Sequence, residues 1–124
     1  LLDAPCSATG TIRKHPDLIF LKNKNELGKY IKTQQALLEK ALSLLSTKGQ
    51  LIYCVCSVQK NEGIRQIDRI LKKFKNIRRE PIKKSEFTQF EKYITKDGDI
   101  QTFPYMKKPG GMDGFFISRL YKEY

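Results

Sequence analysis

The stretch Gln50-Leu-Ile-Tyr-Cys-Val-Cys56-Ser57 decides the fold of this 124-residue chain. It is a short apolar run with β-branched and aromatic side chains, and the Lys48-Gly49 pair ends the segment before it. A buried strand is therefore predicted over Gln50 to Cys56. Leu1-Leu2 is interpreted as the end of a second buried strand, so that Cys6 and Cys56 each follow closely on the end of a strand.

Two amphipathic helices accompany these strands. Apolar residues recur at the spacing of one helix face from Glu26 to Leu45, which predicts a long helix. The same spacing predicts a second helix from Gly63 to Phe74. The other segments are predicted to be loops over 3–16 and 57–63, an irregular stretch over 78–99, and two strands over 100–105 and 115–121 that are joined by a loop over 106–114.

This order of elements predicts an α/β fold. Helices that alternate with buried strands favour a mainly parallel sheet, and the two consecutive strands at the end are expected to form an antiparallel pair at its edge. Ligands of such sheets bind at the carboxyl ends of the strands. Because one helix separates the first two strands, they form a βαβ unit, and the thiols of Cys6 and Cys56 are expected to face one crevice.

Length and composition exclude several classes of protein. The chain is long enough for one domain at most, and 40% hydrophobic residues suffice for a core. The sequence has no apolar run of membrane-spanning length and no signal peptide, so no membrane association is predicted. Three cysteines without a Cys-x-x-Cys pair, and His15 as the single histidine, support neither a disulfide framework nor a metal site. A reducing, cytoplasmic location is predicted.

Positive charge is the main clue to a partner. The chain has 24 Lys and Arg against 13 Asp and Glu, a net charge of +11, which favours nucleic acid and, second, an anionic membrane surface. Residues 60–84 hold ten basic and three acidic side chains, a surplus of seven. A solvated helix face in a lysine-rich chain explains this surplus as well as phosphate binding does, so both interpretations stay open here.

Two thiols and the carboxylate of Asp3 at one crevice suit an attack on an electron-poor ring. Carbon 5 of cytosine is not nucleophilic, but a thiolate that adds to carbon 6 turns carbon 5 into a nucleophile that can attack a methyl donor. A second group must then help to remove the carbon 5 proton and release the enzyme. Cysteine suits the first role because its thiolate is strongly nucleophilic.

Four segments resemble motifs of the RNA cytosine-5 methyltransferases, and their order fits over the whole chain. They are Leu2 to Gly10 with Ile12 to Asp17, similar to motif IV; Tyr53 to Val58 with Glu62, similar to motif VI; Gln35 in the intervening helix; and Asp113-Gly114-Phe115-Phe116, similar to the closing strand. The extension over 12–17 is most similar to the bacterial 16S rRNA methyltransferase B (Sun/Fmu) type. The sequence departs from the motifs at Val55, Lys60 and Gly63, where Thr, Pro and Asn are usual.

The resemblance implies a role for each matched residue. Cys56 matches the nucleophile, and Cys6 matches the cysteine that assists release of the methylated product. Asp3 matches the acid that lies beside the cofactor, S-adenosyl-L-methionine, and the target base. The implied substrate is RNA, in particular small-subunit rRNA. The residues that we expect to contact RNA are Arg13, His15, Lys72 and Lys73.

The implied fold is the C-terminal half of a class I, Rossmann-like S-adenosylmethionine-dependent methyltransferase sheet. In the strand order 3-2-1-4-5-7-6, the chain would supply strands four to seven. Residues 1–124 would then be a partial catalytic domain, because the sequence starts without Met at motif IV and no glycine-rich cofactor loop precedes Asp3. We expect the chain alone to be inactive. Two alternatives are one half of a split enzyme, with a separately encoded N-terminal half, and a noncatalytic basic RNA-binding remnant.

Overall fold

A computed structural model describes residues 1–21, 23–107 and 111–124 of the chain. The strands and helices are, in order, β1 (Leu2–Asp3), α1 (Leu18–Leu21), α2 (Lys24–Leu44), β2 (Gln50–Val55), α3 (Ile64–Lys73), β3 (Ile77–Arg79), β4 (Ile100–Gln101) and β5 (Phe116–Lys122). Short 3₁₀ turns cover Thr9–Thr11, Lys84–Glu86, Thr88–Tyr93 and Pro104–Met106. Residues 108–110 of the predicted loop over 106–114 lie outside the described residues.

The two long helices and the central strand are confirmed to within about two residues, the usual scatter of helix ends. Helix α2 begins two residues before the predicted start because Asn23 caps it. The Asn23 side chain accepts a hydrogen bond from the Glu26 N–H at 3.0 Å, and the Glu26 carboxylate accepts one from the Asn23 N–H at 3.4 Å. This reciprocal pair satisfies two donors that a helix start otherwise leaves unbonded.

The strands form one mixed sheet in the order β1-β2-β5-β3, and β4 pairs with the start of β5. Strands β1 and β2 are parallel, with Leu2 opposite Tyr53, whereas β5 runs antiparallel to β2, β3 and β4. This order matches the sequence 4-5-7-6 that the resemblance implies, which confirms the expected α/β methyltransferase sheet.

The expectation of a mainly parallel sheet was wrong for the described strands, of which only β1 and β2 pair in parallel, and so were three details of the predicted strands. Strand β5 lies between β2 and β3 and not at the edge. Strand β3 falls at the start of the stretch predicted to be irregular, because its pairing to β5, and not its charged sequence, makes it a strand. The strand predicted over 100–105 is reduced to Ile100–Gln101, since Pro104 has no N–H for a ladder and starts a 3₁₀ turn.

The core lies between the sheet and the helices α2 and α3, which contact each other. Alternation along β2 turns Tyr53 and Val55 into this core, where both are fully buried. Their neighbours are apolar side chains of both helices and of β5, namely Leu38, Leu42, Ile67, Ile70, Phe116 and Leu120. Among the described residues, no helix is long and apolar enough to cross a membrane.

Two glycines allow three chain segments to meet at the carboxyl end of β2. The Gly10 N–H donates to the Cys56 carbonyl at 3.0 Å, and the Gly114 N–H donates to the Gly10 carbonyl at 2.7 Å. A Cβ atom on Gly10 would lie 1.9 Å from the Gly114 carbonyl oxygen, which is backbone and cannot yield. Glycine at position 10 therefore ties the segment before β5 to both cysteine-bearing loops.

We expect Gly10→Ala to lower the free energy of unfolding by at least about 2 kcal/mol, because the added methyl group overpacks a backbone contact. Gly28→Ala is the matched control. No atom lies within 4 Å of a Cβ at Gly28, which sits inside α2, so this change should raise stability by about 0.5–1 kcal/mol. Urea unfolding of the two variants measures both effects, and equal stability of the two would contradict the prediction.

Candidate functional site

The parallel pairing of β1 and β2 brings the two predicted cysteines together. Asp3 lies opposite Cys54, and the Ala4 N–H extends the ladder by donating to the Cys54 carbonyl at 3.0 Å. The chain then turns out of both strands at the same edge, and the Sγ atoms of Cys6 and Cys56 lie 3.4 Å apart in a partly buried position. The structure therefore places both thiols in one crevice, as the topology predicts.

In the loop that carries Cys6, the main chain turns so that the N–H of Ala8 faces the Cys6 sulfur. Ala8 has a left-handed backbone conformation, with φ at 56°, which costs a non-glycine residue about 1–2 kcal/mol. In this conformation its N–H donates to the Cys6 Sγ at 3.4 Å, and its carbonyl accepts from the Thr11 N–H at 2.9 Å. Strained backbone is typical of functional sites, where the surroundings hold it in place.

The environment of Cys6 favours the thiol over the thiolate. Burial raises the pKa of Cys6 to about 12, and the neighbouring Cys56 sulfur and the Glu62 carboxylate act in the same direction, against the opposing bond from Ala8. Cys6 is thus protonated at neutral pH. A protonated Cys6 can donate its S–H to the Cys56 sulfur across the 3.4 Å contact between the two thiols.

A buried carboxylate connects the two cysteine loops. Glu62 is fully buried, and its carboxylate accepts from the Ser7 N–H at 2.8 Å and the Ser7 hydroxyl at 2.6 Å. It also accepts from the Ser57 hydroxyl and, at 3.0 Å, from the Gln34 side-chain amide. Ser7 follows Cys6 and Ser57 follows Cys56, so one side chain fixes the residue next to each thiol.

Sequence reasoning quoted Glu62 only as part of a motif and missed this arrangement. It singled out Gln35 in the intervening helix, whereas the glutamine that reaches the site is Gln34. Gln34 is buried and donates to both Glu62 and the Pro5 carbonyl, whereas Gln35 lies one position further round the helix and bonds Glu39 at 3.1 Å. The available signal was helical periodicity, which puts position 34, and not 35, on the apolar stripe with Leu38.

Asp3 is the residue that the resemblance assigns to the cofactor. It is exposed at the carboxyl end of β1, and its carboxylate makes no hydrogen bond within the described part of the chain. An acceptor left open at this edge suits a ligand with hydroxyl or amine groups, so the residue present fits the assignment. Asp3 also acts on its neighbour across the ladder: burial, followed by the Asp3 charge, raises the pKa of Cys54 to about 11.

The four predicted RNA contacts fall into two places. Arg13 and His15 are exposed in the loop after Cys6, and Arg13 pairs with Asp113 at 3.1 Å. Lys14 pairs with the same carboxylate at 2.8 Å, and these cations hold the pKa of Asp113 below its usual range. Lys72 and Lys73 are exposed at the far end of α3, about 15 Å along the helix from its start. The structure therefore groups only the first pair with the cysteine loops.

A cavity of about 420 Å³ is lined by residues of the loop after Cys6 and of the C-terminal part of the chain, and neither thiol lines it. Its apolar wall includes Phe87, Phe90 and Phe115, and its polar edge includes Arg13 and Asp113. Phe116 points the other way into the core, where its ring meets that of Tyr53 edge-on at a centroid distance of 6.5 Å. No group of three or more potential metal ligands occurs among the described residues.

Comparisons with known proteins agree with this geometry. Residues 1–121 match the family model described as 16S rRNA methyltransferase RsmB/F. Ribosomal RNA small subunit methyltransferase B of Pasteurella multocida is 34% identical over 122 residues, which are 98% of this chain and 25% of that relative. The chain thus spans about a quarter of the length of the curated relatives it matches.

Solved structures share the fold of this chain. The protein PH0851 superimposes with a TM-score of 0.84 at 29% identity, over 98% of this chain and 26% of the other. NSun6 from Pyrococcus horikoshii, solved with SFG, superimposes with a TM-score of 0.75 at 22% identity, over 99% of this chain and 29% of the other. The matched family indicates S-adenosylmethionine as the cofactor, in agreement with the sequence.

The family match covers both cysteine loops, the Glu62 carboxylate that joins them, and the contact of Gly10 with Gly114 before β5. We conclude that the chain belongs to the 16S rRNA methyltransferase RsmB/F family.

Proposed function

We propose that this chain carries the two reactive cysteines of an enzyme that methylates carbon 5 of a cytosine in small-subunit rRNA. The observation that carries the proposal is the 3.4 Å contact between the Sγ atoms of Cys6 and Cys56 at the carboxyl ends of adjacent parallel strands. This site needs a methyl donor and an RNA strand. The three cysteines are free thiols, which suits a reducing compartment, and we place the protein in the cytoplasm.

The active unit in this proposal is the complete enzyme, meaning this chain together with a cofactor-binding half. Two observations support it. The chain matches only a quarter of its curated relatives, and in the described structure β1 pairs with a strand on one side only, β2. A strand with one free edge offers unpaired N–H and C=O groups to a further strand. The half could be part of the same polypeptide or separately encoded.

The reaction uses the sulfur of Cys56 as the nucleophile. Its thiolate adds to carbon 6 of cytosine, and the electron pair of the carbon 5–carbon 6 double bond moves to carbon 5 and into the ring. S-adenosylmethionine, when bound, would supply an electrophilic methyl group to carbon 5, and the methyl–sulfur bond would break with its electron pair left on the departing thioether sulfur. Before attack, Cys6 can donate its S–H to the Cys56 sulfur and so stabilise the thiolate. Asp3, exposed at the adjacent strand end, would hold the cofactor beside the base.

Release reverses the addition. The proton on carbon 5 passes to solvent water, the ring double bond forms again, and the carbon 6–sulfur bond breaks with its electron pair returning to Cys56. Cys6 assists by donating its S–H to the departing sulfur, a role that suits its raised pKa. The cytosine must reach a crevice between two loops, so we expect single-stranded RNA or a base extruded from its stack.

A covalent-trapping experiment with the complete enzyme tests the role of each cysteine. With small-subunit rRNA and S-adenosylmethionine, Cys6→Ala should accumulate an RNA–protein adduct on denaturing gels, because the release step lacks its donor. Cys56→Ala should form none, even with RNA that contains 5-fluorocytidine, whose carbon 5 fluorine cannot leave as a proton does. Cys54→Ala is the matched control and should behave as the wild type. An adduct formed by Cys56→Ala would overturn the assignment.

The 124-residue chain on its own should methylate rRNA at least about 100-fold more slowly than the complete enzyme, because nothing then holds the methyl donor in line with carbon 5. The measurement is transfer of labelled methyl groups from S-adenosylmethionine. Adding the cofactor-binding half as a separate polypeptide should restore activity if the enzyme is split. Rapid turnover by the isolated chain would contradict the proposal.

A noncatalytic RNA-binding role is the second candidate, favoured by the surplus of seven positive charges over residues 60–84. It predicts RNA binding without any adduct, so the trapping experiment separates the two. We keep Arg13, His15, Lys72 and Lys73 as proposed RNA contacts in either case. Arg13 and His15 share a loop with Cys6 and would lie near the target base, whereas the two lysines would contact phosphates further along the strand.

Salt dependence measures the phosphate contacts of α3. Each phosphate contact that is lost should make the slope of log K against log salt shallower by about 0.7 for single-stranded RNA. We expect Lys72→Ala to show this full change and Lys73→Ala to show less, because Lys73 already pairs with Glu39 at 2.7 Å. Fluorescence anisotropy with labelled rRNA gives both slopes. Slopes equal to that of the wild type would contradict the prediction that these lysines contact RNA phosphates.

A further inference from the structure

We infer that Glu62 is a positioning residue of the reaction: its carboxylate joins the two cysteine loops and sets the distance between the two thiols. This inference rests on the proposed function and adds to it a residue that touches neither substrate nor cofactor. Three properties of the site carry it, namely the identity of the hydrogen-bond donors, the way the loops are joined, and the charge next to Cys6.

Every polar atom that contacts the Glu62 carboxylate is a donor. Ser7 contributes its N–H and its hydroxyl, Ser57 its hydroxyl and Gln34 its amide. Such a set suits an ionised carboxylate, which accepts only. No cationic side chain pairs with Glu62 among the described residues, so hydrogen bonds alone stabilise its charge. A second layer supports the first, since the Gln66 amide donates to Gln34 at 3.2 Å.

The carboxylate joins the loops at the residues that follow the cysteines. The Ser7 and Ser57 hydroxyls lie 3.4 Å from each other and both reach Glu62. The main chain of Glu62 is itself fixed, because the Tyr53 hydroxyl donates to its carbonyl at 2.7 Å. Glu62 thus connects the core strand β2 to both cysteine loops, through its main-chain carbonyl and its carboxylate. We call these contacts the Glu62 clamp, and the spacing of the two Sγ atoms depends on them.

The charge of Glu62 contributes to the raised pKa of Cys6 and not to that of Cys54. It contributes to the raised pKa of Cys6, together with burial and Cys56, but the raised pKa of Cys54 comes from burial, Asp3 and Cys56. Cys54 is half-buried on the same sheet. Cys54 therefore serves as an internal reference for Cys6, because a general loosening of the site would affect both of these thiols, whereas loss of the Glu62 charge would affect Cys6 and not Cys54.

The test uses Glu62→Gln in the complete enzyme, with Glu123→Gln as the matched control on an exposed carboxylate near the C-terminus. A glutamine keeps the length of the side chain but turns an amide N–H toward groups that are themselves donors. At saturating 5-fluorocytidine RNA, we expect the rate of adduct formation to fall at least about tenfold, with the Kd for RNA unchanged. Glu123→Gln should match the wild type in both.

The second readout is alkylation of the thiols by iodoacetamide at pH 9, followed by mass spectrometry. In Glu62→Gln, the ratio of Cys6 to Cys54 alkylation should rise at least about threefold, because removal of a nearby negative charge increases the thiolate fraction of Cys6. An equal rise at both cysteines, or no change in ratio together with a wild-type adduct rate, would overturn the inference.

A milder variant covers the case in which Glu62→Gln does not fold. Ser57→Ala removes one donor and keeps the charge, so we expect a smaller loss in the rate of adduct formation and an unchanged alkylation ratio. A wild-type rate in this variant would overturn the clamp. The wild-type enzyme reports separately on the proposed function: absence of any trapped adduct in the wild type would refute that function, whereas an adduct that is insensitive to Glu62 would refute only this inference.

Discussion

The parallel pairing of β1 with β2 is the constraint on which the site depends. A one-residue slip in this pairing would turn the alternate side chains of β1 to the opposite face of the sheet and separate the two loops. The register is held by few contacts within β1 itself, which has only two residues, Leu2 and Asp3. Main-chain hydrogen bonds beyond the strand also hold the register, in particular those from Ala4 to Cys54 and from Gly10 to Cys56. The two cysteine loops thus help to hold β1 in register with β2.

A buried anion within this arrangement needs a physical explanation. Removal of a carboxylate from water costs several kcal/mol after relaxation, and no cation among the described residues repays that cost at Glu62. Hydrogen bonds to a charged group contribute about 1.5–3 kcal/mol each, so four donors offset the penalty. An apolar core residue would fill this volume more cheaply. The carboxylate is the better choice only where two polar loops must be held in fixed relation, which is the situation of Cys6 and Cys56.

The sequence was sufficient for the parts of the structure that depend on local pattern. Helical spacing located α2 and α3, the apolar run located β2, and topology alone placed the two thiols in one crevice. What it could not predict depends on distant partners. Strand β3 exists because β5 offers it a ladder, and Gln34 reaches Glu62 because the helix packs in one particular rotation. The motif resemblance includes Glu62, but only the folded structure shows that its partners are Ser7 and Ser57, the residues that follow the cysteines.

Ion pairs within the protein change what the positive charge over residues 60–84 implies about RNA binding. Several cations of the basic segment are engaged within the protein: Arg78 pairs with Glu80 and Glu123, and Arg79 lies against Asp68 and the fully buried Asp99. Glu123, Asp99 and the Glu39 partner of Lys73 lie outside residues 60–84, so a surplus of seven overstates the charge that this region offers to phosphate. In the proposed reaction, an RNA strand that delivers a base to Cys56 would pass the loop that follows Cys6, where His15 and Arg13, which pairs with Asp113, are exposed. The proposed function therefore assigns recognition of the reacting base to the loop that follows Cys6, and phosphate contacts further along the strand to α3.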